Sequence, residues 1–328
     1  MKFSEYMYEW LYGKDGYYSK YRQIGKGGDF YTAVSTSKFF GGTIAKHIIK
    51  CIDDGFLQKD SMVCEIGAHH GYLLSDIIEF IHTLRPGLIS TLRFAIVERF
   101  DDMQNSQRDY FKECFGDVIK LEHFKSLNEL HVKSAFFVAN EIFDAFECEL
   151  IYKGKTATVK NHKIVFEKES DALHVIASKQ SRDRGEIAIG YESFAKEMKN
   201  SAEIFEFMSF DYGEKEARSD FSIRVYKEHE VTPLFDEGLD LSKYFQNSDI
   251  TYDVVFNQVK EDFERAGILH VETVAQMSAL VEMGLLDLLE MLKKNTTDEI
   301  YDQELQKAKM LIMPDFMGER FKMIRFRN

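Results

Sequence analysis

The chain has 328 residues, 45% of them hydrophobic and 30% charged, with 42 Lys and Arg against 55 Asp and Glu for a formal charge of −13. This composition excludes a disordered chain. The acidic balance argues against general binding to a phosphate backbone, so no nucleic-acid partner is expected. The length suits one large domain with insertions, or two domains.

Cys51, Cys64, Cys114 and Cys148 are widely spaced and form no CxxC pair. They read as reduced, mostly buried residues of a cytosolic protein. The opening MKFSEYMYEWLYGKDG lacks the apolar core of a signal peptide. No run approaches the ~18 apolar residues of a membrane span. The expected location is the cytoplasm, without membrane insertion.

In chain order, residues up to about Gly28 are rich in aromatics and glycines. KFFGGTIAKHIIKCI, Lys38 to Ile52, has helical spacing. Ser61 to Ile66 is a short apolar run, predicted as a buried strand. YLLSDIIEFIHTLRPG then reads as a helix ended by Pro86-Gly87. RFAIVE (Arg93 to Glu98) is the next strand, DDMQNSQRDYFKECF the next helix, DVIKLEHF a third strand, and SAFFVANE (Ser134 to Glu141) a fourth. Strands alternating with helices imply an α/β fold with a mostly parallel sheet covered on both faces.

ELIYKGKTATVKNHKIVFEKE alternates with period two and has turn signals at Lys153-Gly154 and Asn161-His162, the pattern of antiparallel strands. Glu186 to Lys199 reads as a helix, and EIFEFMSFDYG (Glu203 to Gly213) as a strand with a polar tip. About Glu214 to Asp253 reads as polar and irregular. Helices are predicted over Val254 to Ala266 and Thr273 to Lys294, and FKMIRF (Phe321 to Phe326) alternates like an edge strand. The stripe Met277, Leu280, Val281, Leu285, Leu288, Leu289, Leu292 reads as core or a homodimer face. Four regions are expected. They are an N-terminal aromatic and helical segment (1–60), the first half of a Rossmann-type core (61–150), inserted β-hairpins with a helix (151–200), and the rest of the core with lid helices (201–328).

Open parallel sheets bind ligands at the carboxyl ends of their strands. The residues there are Glu65 and Gly67, then Glu98, then Asn140, Glu141 and Asp144, then Asp211. An acidic crevice suits a ligand with hydroxyls and positive charge. Glu98 closes the second strand, 31 residues past Gly67, and an acid at that strand end binds ribose hydroxyls in nucleotide sites. Glu65 and Glu98 equally suit the capping of neighbouring helix starts. The loop Gly67-Ala68-His69-His70-Gly71 lacks the G-x-G-x-x-G spacing of a dehydrogenase. Taken by itself, it leaves a nucleoside site and a plain strand-to-helix turn both open. Glu141 and Asp144 can grip a guanidinium in bidentate fashion or share a proton. Adjacent His69 and His70 have no partner at metal-ligand spacing, so no metal is expected.

Six stretches, in order, resemble one family, the MidA-type (DUF185) S-adenosylmethionine-dependent methyltransferases. LYGKDGYYSKYRQIGKGGDFYTAVSTSKFFGGTIA is similar to the family's opening, with GDFYT for its GDFYTS. EIGAHHGYL resembles E-x-G-P-G-x-G-x-L, and NEIFDAF resembles NE-x-x-DA-[LF]-P. SFDYG, RVYKEHE and MGERFKMIRF complete the set. The resemblance covers nearly the whole chain. It implies a Rossmann-type sheet with its last strands antiparallel and a lid of insertions. It implies S-adenosylmethionine bound by Asp29, Phe30, Tyr31, Thr32, Glu65, Gly67, Gly71, Glu98 and Asn140, with Glu141 and Asp144 catalytic. It also implies a partner protein whose arginine is methylated, because a mitochondrial relative modifies an arginine of a respiratory-complex subunit. The chain departs from the pattern at Ala68-His69, in place of Pro-Gly, and at Glu147, in place of proline. If its backbone must adopt φ > 0, His69 costs about 1 kcal/mol in strain. The alternative readings are a methyltransferase fold kept as a binding or assembly module, and a nicotinamide dehydrogenase.

Overall fold

A computed structural model describes residues 1–19, 32–168, 171–179, 183–228 and 230–328. Helix α1 (Phe3–Leu11) buries Phe3, Met7, Trp10 and Leu11, one stripe at helical spacing. Thr32 caps the short α2 (Ala33–Thr36), its hydroxyl accepting from the Ser35 amide. The helix α3 (Phe39–Asp53) follows as its spacing dictates.

Strand and helix then alternate: β1 (Met62–Ile66), α4 (Tyr72–Leu84), β2 (Arg93–Val97), α5 (Asp101–Phe115), β3 (Leu121–Phe124) and β4 (Val132–Asn140). The antiparallel run is β5 (Cys148–Tyr152), β6 (Lys155–Lys160) and β7 (Lys163–Lys168). Its turns are Lys153-Gly154 and Asn161-His162, and all four residues have φ between 48° and 78°, as two-residue hairpin loops demand. Next come α6 (Asp171–Lys179), β8 (Arg184–Ala188), α7 (Tyr191–Ser201) and β9 (Ala202–Glu214). The remainder is β10 (Arg224–Lys227), β11 (Glu230–Pro233), β12 (Asp249–Thr251), β13 (Val254–Val255), α8 (Phe256–Arg265), β14 (Leu269–Ala275), α9 (Gln276–Glu282), α10 (Leu285–Asn295), α11 (Asp298–Ile312) and β15 (Phe321–Arg327).

The chain folds as two compact units, each built from three separate stretches. One comprises Thr32–Glu141, Ala195–Asp211 and Ala266–Asn328. Its sheet runs β14-β15-β9-β4-β1-β2-β3. The pairs β9–β4, β4–β1, β1–β2 and β2–β3 are parallel, and β14–β15 is antiparallel. Phe205 and Asn328 exchange backbone hydrogen bonds, as antiparallel neighbours do. Phe136, Val138, Met208 and Phe210 face one apolar core with α3 and α4. These two helices touch at Gly41, where an added Cβ would lie 2.6 Å from the Asp76 side chain.

The other unit comprises Met1–Tyr31, Ile142–Phe194 and Tyr212–Arg265. It holds the four-stranded sheet β7-β6-β5-β8 and the three-stranded sheet β11-β10-β12. Phe143, Phe146, Tyr191, Phe194 and Phe263 meet edge-on or tilted in its core.

Several elements differ from the sequence expectation. Residues 186–188 belong to strand β8, because they pair with β5, and the helix starts only at Tyr191 after Gly190 turns at φ 94°. Val254 and Val255 pair with Gly213 and Glu214 before α8 begins. The helix expected from Thr273 is strand β14, then two helices parted by Gly284 at φ 92°. Because β14 flanks it, β15 is an inner strand and not an edge. The supposedly irregular 214–253 contains β10, β11 and β12. In the leucine stripe, Leu280, Leu285, Leu288 and Leu289 are buried core and Val281 is exposed. Among the described residues, no helix is long and apolar enough to cross a membrane.

Candidate active site

The turn from β1 into α4 is built around two glycines. Gly67, at φ 69°, donates its amide to the Val97 carbonyl at 3.2 Å, which ties the end of β1 to the end of β2. Gly71 is the N-cap of α4 at φ 80°, and a Cβ there would lie 2.8 Å from the Phe111 ring. A glycine cap has no side chain to satisfy the first amides of the helix. Glu65 supplies that acceptor from the preceding strand: Oε2 takes the Leu74 amide at 2.9 Å. Burial pushes the Glu65 carboxyl up to about 8, against the pull of the Leu74 amide.

Between the glycines, His69 sits in the left-handed region at φ 47°. Its Nδ1 is buried and has no partner among the described residues. The ring stands edge-on to His70, with centroids 4.0 Å apart, and His70 stacks on Tyr72. Burial and the neighbouring His70 push the His69 imidazole down to about 3, so the ring is neutral.

Helix α5 fastens the carbonyls of both loops. Gln107 Nε2 donates to the His69 carbonyl at 2.7 Å, and Gln104 Nε2 donates to the Glu98 carbonyl at 2.7 Å. Glu98 follows β2 and is 9% exposed; its Oε1 accepts the Phe100 amide at 2.9 Å. Burial raises its carboxyl above the usual range, opposed by that amide. Glu65 and Glu98 therefore both bind backbone amides beside helix starts. The sequence reading missed Gln104 and Gln107. Their signal is two amides on the inward stripe Met103, Gln104, Gln107, Phe111 of an otherwise polar helix.

At the end of β4, Glu141 also adopts a left-handed backbone, at φ 53°. Its amide donates to the Phe210 carbonyl at 2.8 Å, and its Oε1 accepts from Asn140 Nδ2 at 2.8 Å. Asn140 Oδ1 and Ser209 Oγ are buried without a partner among the described residues. Asp211 is fully buried at the end of β9 in this unit. Thr32 lies at the cap of α2, while Asp29, Phe30 and Tyr31 fall outside the described residues.

Asp144 belongs to the other unit, in the turn Phe143–Ala145, and is 5% exposed. Its carbonyl accepts the Tyr252 amide at 3.3 Å. Its charge helps to raise the phenols of Tyr18, Tyr226 and Tyr252, all lifted chiefly by burial. Tyr18 donates to Asp249 Oδ2 at 2.9 Å. This cluster of tyrosines and carboxylates gathers residues far apart in sequence, and the sequence reading did not find it.

A second buried cluster has ligand-type chemistry but a different purpose. Among the described residues, His47 Nε2, Cys51 Sγ and a Glu206 oxygen lie within 4.8 Å of one another. Arg327 is already 2.6 Å from Glu206, and Arg325 is 3.6 Å away. A divalent cation would add charge beside two guanidinium groups. Burial alone would raise the Glu206 carboxyl, but His47 and the two arginines hold it below the usual range. The cluster is an ion-pair anchor for β15.

The orphaned Asn140 oxygen can accept from a ligand ammonium or amide. The exposed Gly67 leaves backbone open to a ligand. Glu98 sits where ribose hydroxyls are held in nucleotide sites. These features fit a nucleoside bearing an amino-acid tail, so S-adenosylmethionine suits this unit.

The comparisons with known proteins agree. At 25% identity, the mitochondrial protein arginine methyltransferase NDUFAF7 of Danio rerio aligns over 97% of this chain and 81% of its own length. The Bos taurus protein of the same name is 23% identical over 98% of this chain and 78% of its own length. A Burkholderia thailandensis protein crystallised with S-adenosyl-homocysteine has the same fold, with a TM-score of 0.86 at 22% identity over 100% of this chain and 88% of that one. A native crystal structure from the same organism gives 0.82 at 21% identity, over 100% and 87%. The family model described as "Putative S-adenosyl-L-methionine-dependent methyltransferase" matches residues 43–274. The chain belongs to this family of S-adenosyl-L-methionine-dependent methyltransferases.

Proposed function

We propose that this methyltransferase acts on an arginine of a partner protein. The observation that carries the reading is Glu141, a glutamate held left-handed at the end of a buried parallel strand, with its carboxylate braced by Asn140. A non-glycine residue kept at φ > 0 costs about 1 kcal/mol or more, and such strain gathers at functional sites. The curated relatives are named as protein arginine methyltransferases, which supports the same substrate.

S-adenosylmethionine supplies an electrophilic methyl group on its sulfonium. Gly67 and Gly71 shape the turn that receives it, Glu98 takes ribose hydroxyls, and the Asn140 oxygen accepts from its amino-acid end. Thr32, at the entry to α2, faces the same ligand. Glu141 grips the guanidinium of the incoming arginine. Methyl transfer forms an N–C bond as the S–C bond breaks, and one N–H proton must leave the guanidinium. A carboxylate on that N–H favours the charge developing on the nitrogen and accepts the proton. Positioning then contributes most of the rate.

The test is a methylation assay on host extract from cells lacking this chain, with isotope-labelled S-adenosylmethionine and methylarginine read by mass spectrometry. Native protein is expected to label arginine, and Glu141→Ala to lose at least ~100-fold in rate. Full activity in Glu141→Ala, or label found on other residue types, would sink the reading. The assembly-module alternative is favoured if a partner binds without any methylation and regardless of cofactor.

A further inference from the structure

Four residues of α5 face inward: Met103, Gln104, Gln107 and Phe111. An amide in the core must find partners or destabilise the fold. Gln107 is fully buried and finds three, one of them the Glu98 carboxylate. Its Nε2 donates to the His69 carbonyl at 2.7 Å, and its Oε1 lies 2.9 Å from His123 Nε2. The His69 carbonyl can only accept, so it fixes which end of the amide is nitrogen. The amide oxygen can only accept as well, so His123 must carry its hydrogen on Nε2. Burial keeps that imidazole neutral by pushing it down to about 4, and its Nδ1 stays without a partner among the described residues. The chain of bonds therefore runs one way, from His123 through Gln107 to the backbone of His69.

That backbone needs an anchor. His69 has a Cβ and stands at φ 47°, so a rotation of roughly 100° into the allowed region at φ < 0 would relieve it. A glycine there would have no such drive. One turn further along α5, Phe111 packs where a Cβ on Gly71 would go, so the same helix face holds the loop at its middle and at its helix end.

We propose that Gln107, oriented by His123, is the positioning residue that holds His69 in the left-handed conformation the cofactor loop requires. It replaces the conformational freedom of a glycine with a side-chain clamp. It acts through the His69 carbonyl and touches no reacting atom.

The test is a calorimetric titration of the full chain with S-adenosylhomocysteine in four forms: native, Gln107→Leu, His69→Gly, and both together. Gln107→Leu is expected to weaken binding ~10-fold in the native background, and by less than ~3-fold where residue 69 is glycine. Equal losses in the two backgrounds would reduce Gln107 to core packing or to its bond with Glu98 and overturn the proposal, as would no loss in either. Should Gln107→Leu fail to fold, Gln107→Glu keeps the length but cannot donate to the carbonyl when ionised. The same contrast between backgrounds is expected of it, and its absence counts against the clamp equally. Binding by His69→Gly alone, with none by the native chain, would mean that the clamp does not hold the loop. None of these readouts depends on arginine being the substrate.

Discussion

Glu65 accepts the Leu74 amide at 2.9 Å, and so a buried carboxyl on a strand caps the helix nine residues later. The folded state lifts its titration to about 8, chiefly by burial. Asp76, two residues past Leu74, is raised to about 7, also chiefly by burial. A carboxyl raised above its unfolded value near 4.5 contributes stability below that pH and loses it as pH climbs through the folded value. Below about pH 6.5 the depressed imidazoles of His69 and His123 pull the other way, so the ligand-free protein is expected to lose Tm between about pH 6.5 and pH 8. Glu65→Gln should flatten the upper part of that fall while keeping an acceptor for Leu74. Thermal melts across this range check it, and an unchanged slope in Glu65→Gln contradicts it.

Glu206 behaves in the opposite sense. Its carboxyl is fully buried yet held low by His47, Arg325 and Arg327. Its stabilisation is present above its unfolded pKa and is lost as pH falls through the lower folded value. Glu206→Gln leaves Arg327 without its carboxylate while Arg325 keeps Glu272, and because Arg327 is a third exposed the loss falls below the roughly 3–5 kcal/mol of a fully buried broken pair. The expected result is a clear drop in Tm with S-adenosylhomocysteine affinity unchanged within ~2-fold. A weakened ligand affinity at unchanged Tm would mean that the cluster belongs to the site after all.

Gly71 and Gly55 both stand at positive φ, 80° and 76°, but only Gly71 is crowded, by the Phe111 ring. Gly55→Ala is expected to cost about 1 kcal/mol of stability and nothing in ligand binding. Gly71→Ala should cost more and weaken S-adenosylhomocysteine at least ~10-fold, because the helix start must move. Adding Phe111→Leu to Gly71→Ala should restore part of the binding. Titration of the three variants decides, and equal behaviour of the two alanine variants would refute the crowding argument.

Asn140→Ala removes both the brace on Glu141 and the orphaned oxygen. It is expected to weaken S-adenosylhomocysteine and slow methylation together, each by roughly 10-fold, a loss of the size expected for a buried hydrogen bond. Glu141→Ala should slow methylation while leaving ligand affinity within ~3-fold. If the two variants behave alike in both assays, the division of roles between the neighbours fails.

Much of the parallel half of the sheet was legible because its strands are continuous apolar runs that alternate with amphipathic helices. The hairpins at 153–154 and 161–162 were legible because their turn residues tolerate φ > 0. Strand β14 was not, since a half-buried run such as LHVETVA becomes a strand only by pairing with β15, some fifty residues later. The clamp at Gln107 and the anchor at Glu206 were hidden for a related reason. A buried polar residue declares itself only through partners brought in from β3, β15 or α3. The loop was legible as a cofactor turn only in company with the other motifs, and the nicotinamide alternative falls with the family match. At His69 the strained backbone anticipated from the sequence is present at φ 47°.

The most direct test of the account is a calorimetric titration of the unaltered protein with S-adenosylhomocysteine. One molecule bound per chain at about micromolar Kd would mean that the loop receives its cofactor with histidine in the glycine position. No binding by the unaltered chain under conditions where it is folded would contradict the claim that this is a working methyltransferase site.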